Sequence, residues 1–235
     1  MNIHPKAYFS WSSGKDSALA LYHLQQAGLE VSRLITTVNQ HFGRVSMHGL
    51  RRELLEQQAL ALGIPLSIID IPREPSMEDY GVLMEKALHR LQNDGFTHCG
   101  FGDIFLEDLK TYREKQLQPF DIQGIFPIWN LDTKARLQEF INLGFKAIVI
   151  CLKSDLLDVS FLGREVDHSF IQDLPQNVDP CGENGEFHTF CYDGPIFNHP
   201  IPFTSGEIVF RAYKAPTQEV VPPSSMGFWF LDLLP

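Results

Sequence analysis

The chain has 235 residues, which is long enough to bury a sizeable core without disulfides or metals and excludes a mini-protein scaffold. Hydrophobic residues make up 44% and charged residues 20%, a composition typical of an ordinary globular protein rather than a disordered or fibrous one. With 19 Lys and Arg against 29 Asp and Glu, the net charge of -10 does not favour general binding to a nucleic-acid backbone.

The sequence predicts a cytoplasmic protein. Residues 1–5 show neither the basic start of a secretory signal nor an Arg-rich amphipathic stretch. No window approaches the roughly 18 uninterrupted apolar residues that a membrane-spanning helix requires. The four cysteines, Cys99, Cys151, Cys181 and Cys191, lie far apart without a C-x-x-C pair, which favours reduced intracellular thiols over disulfides.

The first hundred residues alternate between strand and helix patterns. Short apolar runs predict strands at 7–11, 31–38, 66–71 and 97–101. Helical spacing of apolar residues predicts helices at 18–26, 50–62 and 78–93. This order predicts an α/β fold with a parallel sheet, covered by helices that connect the strands in right-handed crossovers.

The pattern changes beyond about residue 125. A helix at 133–143, a strand at 147–152, a mixed helical stretch at 161–174 and a strand at 208–212 are predicted. Residues 176–202 are rich in Gly, Pro, Asp and Asn but keep several aromatic residues, so we interpret them as an ordered functional loop. We expect an N-terminal unit of residues 1–125 and a C-terminal unit of residues 126–235.

The end of the chain combines prolines with a final apolar run. A Pro-rich tail begins at Val220–Pro223, and the run Phe228–Leu231 follows it. Such a run needs an apolar partner, which can be the protein's own core or a second subunit. A homodimer is therefore one of the expected assemblies.

The loop after the first predicted strand has the composition of a phosphate site. It reads Ser12-Ser13-Gly14-Lys15-Asp16-Ser17 and lies at the carboxyl end of the strand, where open α/β sheets bind ligands. The glycine lets backbone N–H groups approach an anion, and the helix N-terminus contributes roughly +0.5 of an elementary charge. Asp16 is suited to holding a metal or orienting the loop. A Ser-rich helix cap with an incidental lysine is the structural alternative.

A second polar segment runs from Asp179 to Phe190. It contains two Gly-Glu pairs, a histidine and a threonine, a set that can bind a cationic or amide-bearing substrate or position ammonia. The candidate substrate-binding residues are Gly182, Glu183, Gly185, Glu186, His188 and Thr189. A solvated acidic turn is one alternative. Zinc bound by Cys181, His188 and Cys191 is another, although this spacing matches no familiar zinc module.

The S-x-G-K-D-S loop resembles the pyrophosphate loop of the N-type ATP pyrophosphatases, such as GMP synthetase and asparagine synthetase. In those enzymes the loop holds the phosphates of ATP while the α-phosphate is attacked. Together with G-E-x-G-E-x-H-T, the loop resembles the diphthine-ammonia ligase family, also called the diphthamide synthase domain. The segments Gly100–Ile104, Tyr112–Glu114 and Phe126–Trp129 fit the same family, so the resemblance covers about residues 5–200.

The resemblance implies an adenine nucleotide α-hydrolase-like (HUP) domain with a smaller C-terminal α+β substrate domain. It implies ATP contacts from Ser12, Ser13, Gly14, Lys15, Asp16, Ser17, Thr37 and Asn39. Asp103, at the ligand edge of the sheet, is a candidate for contact with Mg²⁺ or substrate, and Asp16 is the second candidate metal ligand. For Thr36, Thr37, His48, Arg113 and Trp129 a structural role is at least as consistent with the sequence as a role in the site.

These features favour an ATP-dependent amide ligase. A substrate carboxylate would attack the α-phosphate, and ammonia would then displace AMP from the acyl-adenylate. The expected catalytic residues are Lys15, Asp103, Glu183, Glu186 and His188. The chain has no room for a glutaminase module, so free ammonia or a partner supplies the nitrogen, and translation elongation factor 2 would carry the carboxylate in an organism that makes diphthamide. Sulfur or amine transfer to tRNA and a non-catalytic ATP sensor are the alternatives.

Overall fold

The computed structural model describes residues 5–212 and 227–235. The first part of the chain forms β1 (Ala7–Ser10), α1 (Lys15–Gln26), β2 (Val31–Asn39), β3 (Arg44–Val45), α2 (Arg52–Leu62), β4 (Leu66–Ile71), α3 (Met77–Asn93), β5 (His98–Gly100), α4 (Glu107–Leu117) and β6 (Gln123–Ile125). The second part forms α5 (Thr133–Asn142), β7 (Lys146–Lys153), α6 (His168–Asp173), β8 (Phe187–Asp193), β9 (Thr204–Ala212) and β10 (Gly227–Leu234). Short 3-10 helices lie at Gln118–Phe120 and Val159–Phe161.

A mostly parallel sheet forms the first layer. Strands β2, β1, β5 and β6 lie in that order, β4 pairs in parallel with β2, and β3 is antiparallel to the end of β2. The chain leaves β1 for β2 on one side, whereas β5 lies on the other side of β1. The strand order therefore reverses at β1, and the crevice at its carboxyl end is where such sheets bind ligands. The expected α/β fold with a parallel sheet is confirmed.

Both faces of this sheet are apolar because successive side chains of a strand point in opposite directions. Ala7 and Phe9 of β1 face the core beneath α1 and α2, whereas Tyr8 belongs to the core beneath α3 and α4. Helix α3 begins with a capping box, in which Ser76 Oγ accepts from Asp79 N at 3.0 Å. The sheet is thus covered on both sides, as a parallel sheet requires.

The second sheet is antiparallel, with the strand order β8, β7, β10, β9. Strand β7 lies inside it, and its residues from Ala147 to Leu152 are all buried. Its apolar core is continuous with that beneath α1 and α2 of the first sheet. The final apolar run finds its partners within the chain, because β10 pairs with β7 on one side and β9 on the other. The unit boundary at residue 125 stays a prediction.

Several elements differ from the sequence-based expectation. The predicted loop 176–202 contains the strand β8, which the sequence hides because its four buried residues, Phe187, Thr189, Phe190 and Cys191, do not alternate strictly with exposed ones. Strands β3 and β6 have only two and three residues, too few for a readable period. Helix α4 was not predicted because Leu117 is its only buried residue. The predicted tail at Val220–Pro223 lies outside the described residues.

Within residues 5–212 and 227–235, the longest helix has 17 residues, and none combines the length and apolar character needed to cross a bilayer.

Candidate active site

The loop between β1 and α1 is held in an unusual backbone conformation. Ser13 has a φ of 73°, in the left-handed region that non-glycine residues rarely adopt. Its carbonyl accepts from Cys191 N and from Gln58 Nε2, both at 3.0 Å. Gln58 also donates to Cys191 O at 2.6 Å and accepts from Trp11 Nε1 at 3.0 Å. A buried glutamine on α2 therefore fixes the loop against β8.

Small residues at the start of α1 allow three other parts of the chain to approach it closely: the turn at His48, strand β8 and the segment after β5. Ser12 Oγ and Ser17 Oγ lie 2.7 Å apart, which closes the loop on the first helical turn. A Cβ on Gly14 would lie 3.2 Å from His48 and 3.3 Å from Thr189. A Cβ on Gly102 would lie 2.9 Å from Ser17 N, so the segment after β5 packs directly on the helix N-terminus.

Lys15 is buried at the centre of the site, with 2% of its surface exposed. Its backbone N–H donates to Thr189 Oγ1 at 3.0 Å. Its Nζ donates to Asp16 Oδ2 at 2.8 Å and to the carbonyl oxygen of Cys181. Burial works against the charge, but the Asp16 carboxylate and the more distant Glu183 outweigh it and hold the pKa of Lys15 above its ordinary value. The lysine is a fixed cation at neutral pH.

The second polar segment faces this lysine. Glu183 Oε1 accepts from Ile104 N at 2.8 Å, which ties the segment to the loop after β5. Burial raises the pKa of Glu183 to about 7, and the nearby Asp16 carboxylate acts in the same direction. A carboxyl group that titrates near neutral pH can take up or release a proton under working conditions.

Glu186 performs a different task from Glu183. Its side chain is buried, and Oε1 accepts from Asp179 N and Asn184 Nδ2, both at 3.1 Å. Its backbone carbonyl accepts from Lys153 N at 2.9 Å on β7. Glu186 does not line the central cavity. Its hydrogen bonds join the two ends of the 179–186 turn on the side away from the cavity. They thereby position the glycine and glutamate residues of this turn that do line the cavity.

Two histidines stack beside the phosphate loop. The rings of His48 and His188 lie 4.5 Å apart at an interplanar angle of 27°. Burial and the Lys15 charge lower the pKa of His188 to about 4. Burial and the neighbouring His188 lower the pKa of His48 well below its ordinary value. Both imidazoles are therefore neutral at pH 7. Each can donate or accept a hydrogen bond with a bound ligand without adding charge to the site.

Asp103 is held by Arg113 of α4. Arg113 Nη2 donates to Asp103 Oδ1 at 3.0 Å, and Arg113 Nε lies 2.8 Å from Oδ2. The guanidinium carbon also lies 4.6 Å from the ring centroid of Phe101. The carboxylate is 8% exposed and its charge is balanced by this two-point contact.

These groups surround a cavity of about 630 Å³. Its polar end is formed by the phosphate loop and the second polar segment. Its apolar arm runs between the sheet and helices α3 and α4, past Tyr8, Leu88 and Phe101. The predicted site residues that line it are Ser12, Gly14, Lys15, Asp16, Ser17, Thr37, Asp103, Gly182, Glu183, Gly185, His188 and Thr189.

Three predicted site residues do not line the cavity. Ser13 is fully buried within the phosphate loop, and Glu186 is buried within the second polar segment, and neither faces the cavity. Asn39 shapes a turn at the end of β2, where its Nδ2 donates to Pro72 O and Arg73 O at 3.1 Å. Their assignment as ligand contacts stays a prediction.

Sequence reasoning gave too little weight to His48 and did not include Gln58. His48 follows Met47, whose φ is 65°, and precedes Gly49, whose φ is 73°, so the turn after β3 points it toward the loop. The sequence signal that could have identified His48 was its place in a turn near the carboxyl ends of the strands, where such sheets bind ligands. Gln58 carried no signal, because a single glutamine in an amphipathic helix is usually exposed.

Zinc binding through Cys181, His188 and Cys191 finds no support in the described part of the chain, where no group of three His, Cys, Asp or Glu residues is arranged to hold a metal. Burial raises the pKa of both the Cys181 and Cys191 thiols. Since the thiolate is the form that binds zinc, both cysteines act as small buried apolar residues.

The parallel sheet with its strand-order reversal, the loop at the carboxyl end of β1 and the buried lysine define an α/β protein of the adenine nucleotide α-hydrolase-like fold, with a smaller second sheet completing the site. Family models named diphthamide synthase N-terminal domain and diphthamide synthase C-terminal domain match residues 6–119 and 132–216. The chain belongs to the diphthamide synthase family.

Relatives named diphthine–ammonia ligase show the same relationship. The zebrafish (Danio rerio) protein is 25% identical over 228 residues, which cover 87% of this chain and 88% of that protein. The bovine (Bos taurus) protein is 31% identical over 144 residues, covering 59% of this chain and 53% of that protein. The human protein is 28% identical over 116 residues, covering 47% and 43%.

Proposed function

We propose that this protein is an ATP-dependent ligase that activates a substrate carboxylate as an acyl-adenylate and transfers ammonia to it, releasing AMP and pyrophosphate. The observation that carries the proposal is the buried Lys15, fixed at the N-terminus of α1 and facing Glu183 across one cavity. The names of the relatives support diphthine as the carboxylate and ammonia as the nitrogen donor.

The phosphate loop supplies positive potential where charge develops on the leaving pyrophosphate. Lys15 keeps its charge despite burial, and the first turn of α1 presents N–H groups and the positive end of its dipole to the cavity. Because these groups are already fixed by Thr189 and Cys181, they need no rearrangement when ATP binds.

A magnesium ion is part of the proposal, and Asp16 fits it better than Asp103. Mg²⁺ in phosphoryl sites is held by one or two carboxylates together with phosphate oxygens. Asp16 is 27% exposed at the cavity wall and shares Oδ2 with Lys15, whereas Asp103 is 8% exposed and both of its oxygens lie within 3.0 Å of Arg113. An ion bound there would offset charge on the phosphates. Arg113, which also lines the cavity, is better placed to contact the carboxylate end of the substrate.

The second polar segment would handle ammonia and its proton. Glu183 has a pKa of about 7 and faces the cavity, so it suits proton removal as the amide forms. The neutral His188 and His48 pair can accept a hydrogen bond from ammonia without repelling it by charge. Glu186 contributes through the turn that it closes.

The partners follow from this chemistry. The substrates are ATP, ammonia and a carboxylate, carried on translation elongation factor 2 where diphthamide is made. A cytoplasmic location and a homodimer belong to the same proposal. The apolar arm of the cavity, lined by Tyr8, Leu88 and Phe101, would contact uncharged parts of the nucleotide or the substrate.

The test measures AMP and pyrophosphate formation from ATP with ammonium chloride and a panel of carboxylates that includes a diphthine peptide. AMP formation that requires both a carboxylate and ammonium is expected. Lys15→Ala and Lys15→Met should each reduce the rate at least about a hundredfold, because a fixed charge on the leaving group is lost. Lys86→Ala, at an exposed position of α3, is the matched control and should keep the wild-type rate.

Two results would contradict the proposal. ATP binding without AMP formation under every condition would identify a nucleotide sensor. AMP formation that depends on tRNA and not on the carboxylates would identify a tRNA-modifying enzyme.

A further inference from the structure

The two faces of the first sheet are packed very differently by their helices. On one face α1 buries seven of its 12 residues and α2 buries six of its 11. On the other face α3 buries two of its 17 residues and α4 buries one of its 11. Protein cores are normally close-packed, so helices that cover a sheet without burying their own side chains leave space between the layers. That space is the apolar arm of the cavity.

The side of α3 that lines the arm is apolar, although the protein itself buries it only in part. Tyr80, Met84 and Ala87 lie on the cavity wall and pack, partly buried, against the apolar cluster beneath this face of the sheet. Methionine is flexible and adapts to apolar groups of different shape. A hydrocarbon group inside the arm would complete the burial of these side chains, so the arm is suited to an apolar ligand.

Charged side chains occupy one end of the cavity. In the part of the chain that the structure describes, the charged residues on the cavity wall are Lys15, Asp16, Asp103, Arg113 and Glu183. Glu183 is tied to the N–H of Ile104, the residue after Asp103. The guanidinium carbon of Arg113 lies 4.6 Å from the ring centroid of Phe101, which lines the arm. Asp103 and Arg113 therefore mark the junction between the polar end and the apolar arm.

Arg113 can bind an anion while it keeps its contact with Asp103. That contact uses Nη2, at 3.0 Å from Oδ1, and Nε, at 2.8 Å from Oδ2. With the described residues, Nη1 makes neither a hydrogen bond nor an ion pair, and 29% of the side chain is exposed. Since a guanidinium group presents its donors along more than one edge, a carboxylate can bind the remaining edge. Such a carboxylate would lie between the polar end and the arm.

We propose that the apolar arm binds the hydrocarbon part of a small carboxylic acid, whose carboxylate is held by Arg113 at the junction with the polar end. This role rests on the proposed function and names a class of free acid that the site would accept. A carboxylate oxygen bonds to the α-phosphorus of ATP as the bond to pyrophosphate breaks. The nitrogen of ammonia then bonds to the carbonyl carbon as AMP leaves, and the proton lost by nitrogen passes to Glu183. The product is the primary amide of the same acid.

A hydrocarbon suits the arm better than the adenine base does. Adenine has several hydrogen-bonding nitrogens, and burying them without partners is unfavourable. The arm offers few partners, because Gln116 Nε2 already donates to Tyr112 OH at 2.7 Å. Strands β1 and β2 beneath the arm are each paired on both sides, which uses their backbone groups. We therefore expect the base at the carboxyl ends of the strands, near Thr37, and the acid in the arm.

A series of straight-chain acids tests this binding. AMP formation is measured with ATP, ammonium chloride and acetate, butanoate, hexanoate or heptanoate. The kcat/KM for the acid should rise about fourfold with each added CH₂ group, the gain expected for burying one methylene, and by at least about a hundredfold from acetate to hexanoate. 6-Aminohexanoate has the length of heptanoate but ends in an ammonium group. Its kcat/KM should be at least about a hundredfold lower, because the arm offers that charge no partner.

A substitution in the arm separates the acid from the nucleotide. Ala87→Phe places a ring in the arm, so the ratio of kcat/KM between hexanoate and acetate should fall at least about tenfold. Lys86→Phe, at the exposed neighbouring position of α3, is the matched control and should keep the wild-type ratio. Ala87→Leu should lower the ratio by less than Ala87→Phe does. It keeps the test available if circular dichroism shows that the phenylalanine variant does not fold.

Calorimetry of heptanoate binding without ATP gives a readout that needs no turnover, and a negative heat-capacity change is expected. Heptanoate that binds in this way without any AMP formation would support the arm as its site and contradict the proposed function. Equal AMP formation from acetate and heptanoate would support the proposed function and overturn the role of the arm. Competition between heptanoate and ATP, or a raised KM for ATP in Ala87→Phe with an unchanged acid ratio, would assign the arm to the base and overturn the proposal.

Discussion

Replacing Gln58 with leucine should weaken both the fold and the ATP site. The amide of Gln58 is fully buried and joins Trp11 of the phosphate loop, Ser13 O and Cys191 O of β8. Leucine has a similar volume, so the change removes hydrogen bonds without leaving a large cavity.

The magnitude follows from counting the groups left without a partner. Ser13 O keeps the hydrogen bond from Cys191 N. The indole N–H of Trp11 loses its partner while buried, and Cys191 O loses a short one. At about 1–3 kcal/mol for each of these two groups, the free energy of unfolding should fall by about 2–6 kcal/mol. At about 2–4 °C per kcal/mol for a chain of this length, the melting temperature should be lower by about 4–24 °C.

Urea denaturation and ATP-binding calorimetry check the two effects separately. Gln26→Leu, at an exposed position of α1, is the matched control and should change neither quantity by more than about 0.5 kcal/mol. ATP affinity should fall in Gln58→Leu because Ser13 loses a contact that supports its positive φ. Unchanged stability would refute the hydrogen-bond count, and lower stability with unchanged ATP affinity would refute the role of Gln58 in shaping the loop.

Two further changes probe other parts of the structure. Gly102→Ala should reduce ATP affinity at least about tenfold in calorimetry, because its Cβ would lie 2.9 Å from Ser17 N and displace the start of α1. Gly81→Ala in α3, where a Cβ would meet no atom from another described part of the chain within 4 Å, should instead stabilise the protein by about 0.5–1 kcal/mol. Equal effects of the two substitutions would contradict this explanation. Asp232→Asn should lower the free energy of unfolding by about 1–2 kcal/mol at pH 7, since Arg51 and Arg44 hold the pKa of Asp232 at about 2. Because folding lowers that pKa, the stabilisation by Asp232 is present above about pH 4 and is lost as the pH falls toward 2. The denaturation curves of the wild-type and Asp232→Asn proteins should therefore converge near pH 2. A difference that persists at pH 2 would contradict the role given to the Asp232 charge.

Local sequence signals were sufficient for the longer strands and helices of the first hundred residues. The strand predicted at 66–71 coincides with β4, and the helix predicted at 78–93 coincides with α3 to within one residue. These elements have clear periods and clear ends. The order of strands in the sheet was not readable beyond its class, because the position of β5 beside β1 depends on packing between segments about ninety residues apart.

The sequence predicted which residues belong to the site but not which role each of them has. Composition identified both Glu183 and Glu186, but only the fold shows that the first faces the cavity and the second closes a turn. The stacking of His48 on His188 joins residues 140 positions apart, a contact that no local pattern encodes. The same holds for Gln58, whose importance comes from its three partners rather than from its neighbours in sequence.

Lys15 shows why the two sheets have to be treated as one functional unit. Its N–H is held by Thr189 and its Nζ by Cys181 O, at separations of 174 and 166 residues. Thr189 lies on β8 of the second sheet and Cys181 in the turn before it, so the phosphate site is incomplete until the two sheets have packed together. ATP that binds this site stabilises the packed state by mass action. Nucleotide should therefore protect the amides of β8 from hydrogen exchange as strongly as those of the loop before α1, and protection confined to the loop would show that the two sheets are energetically independent.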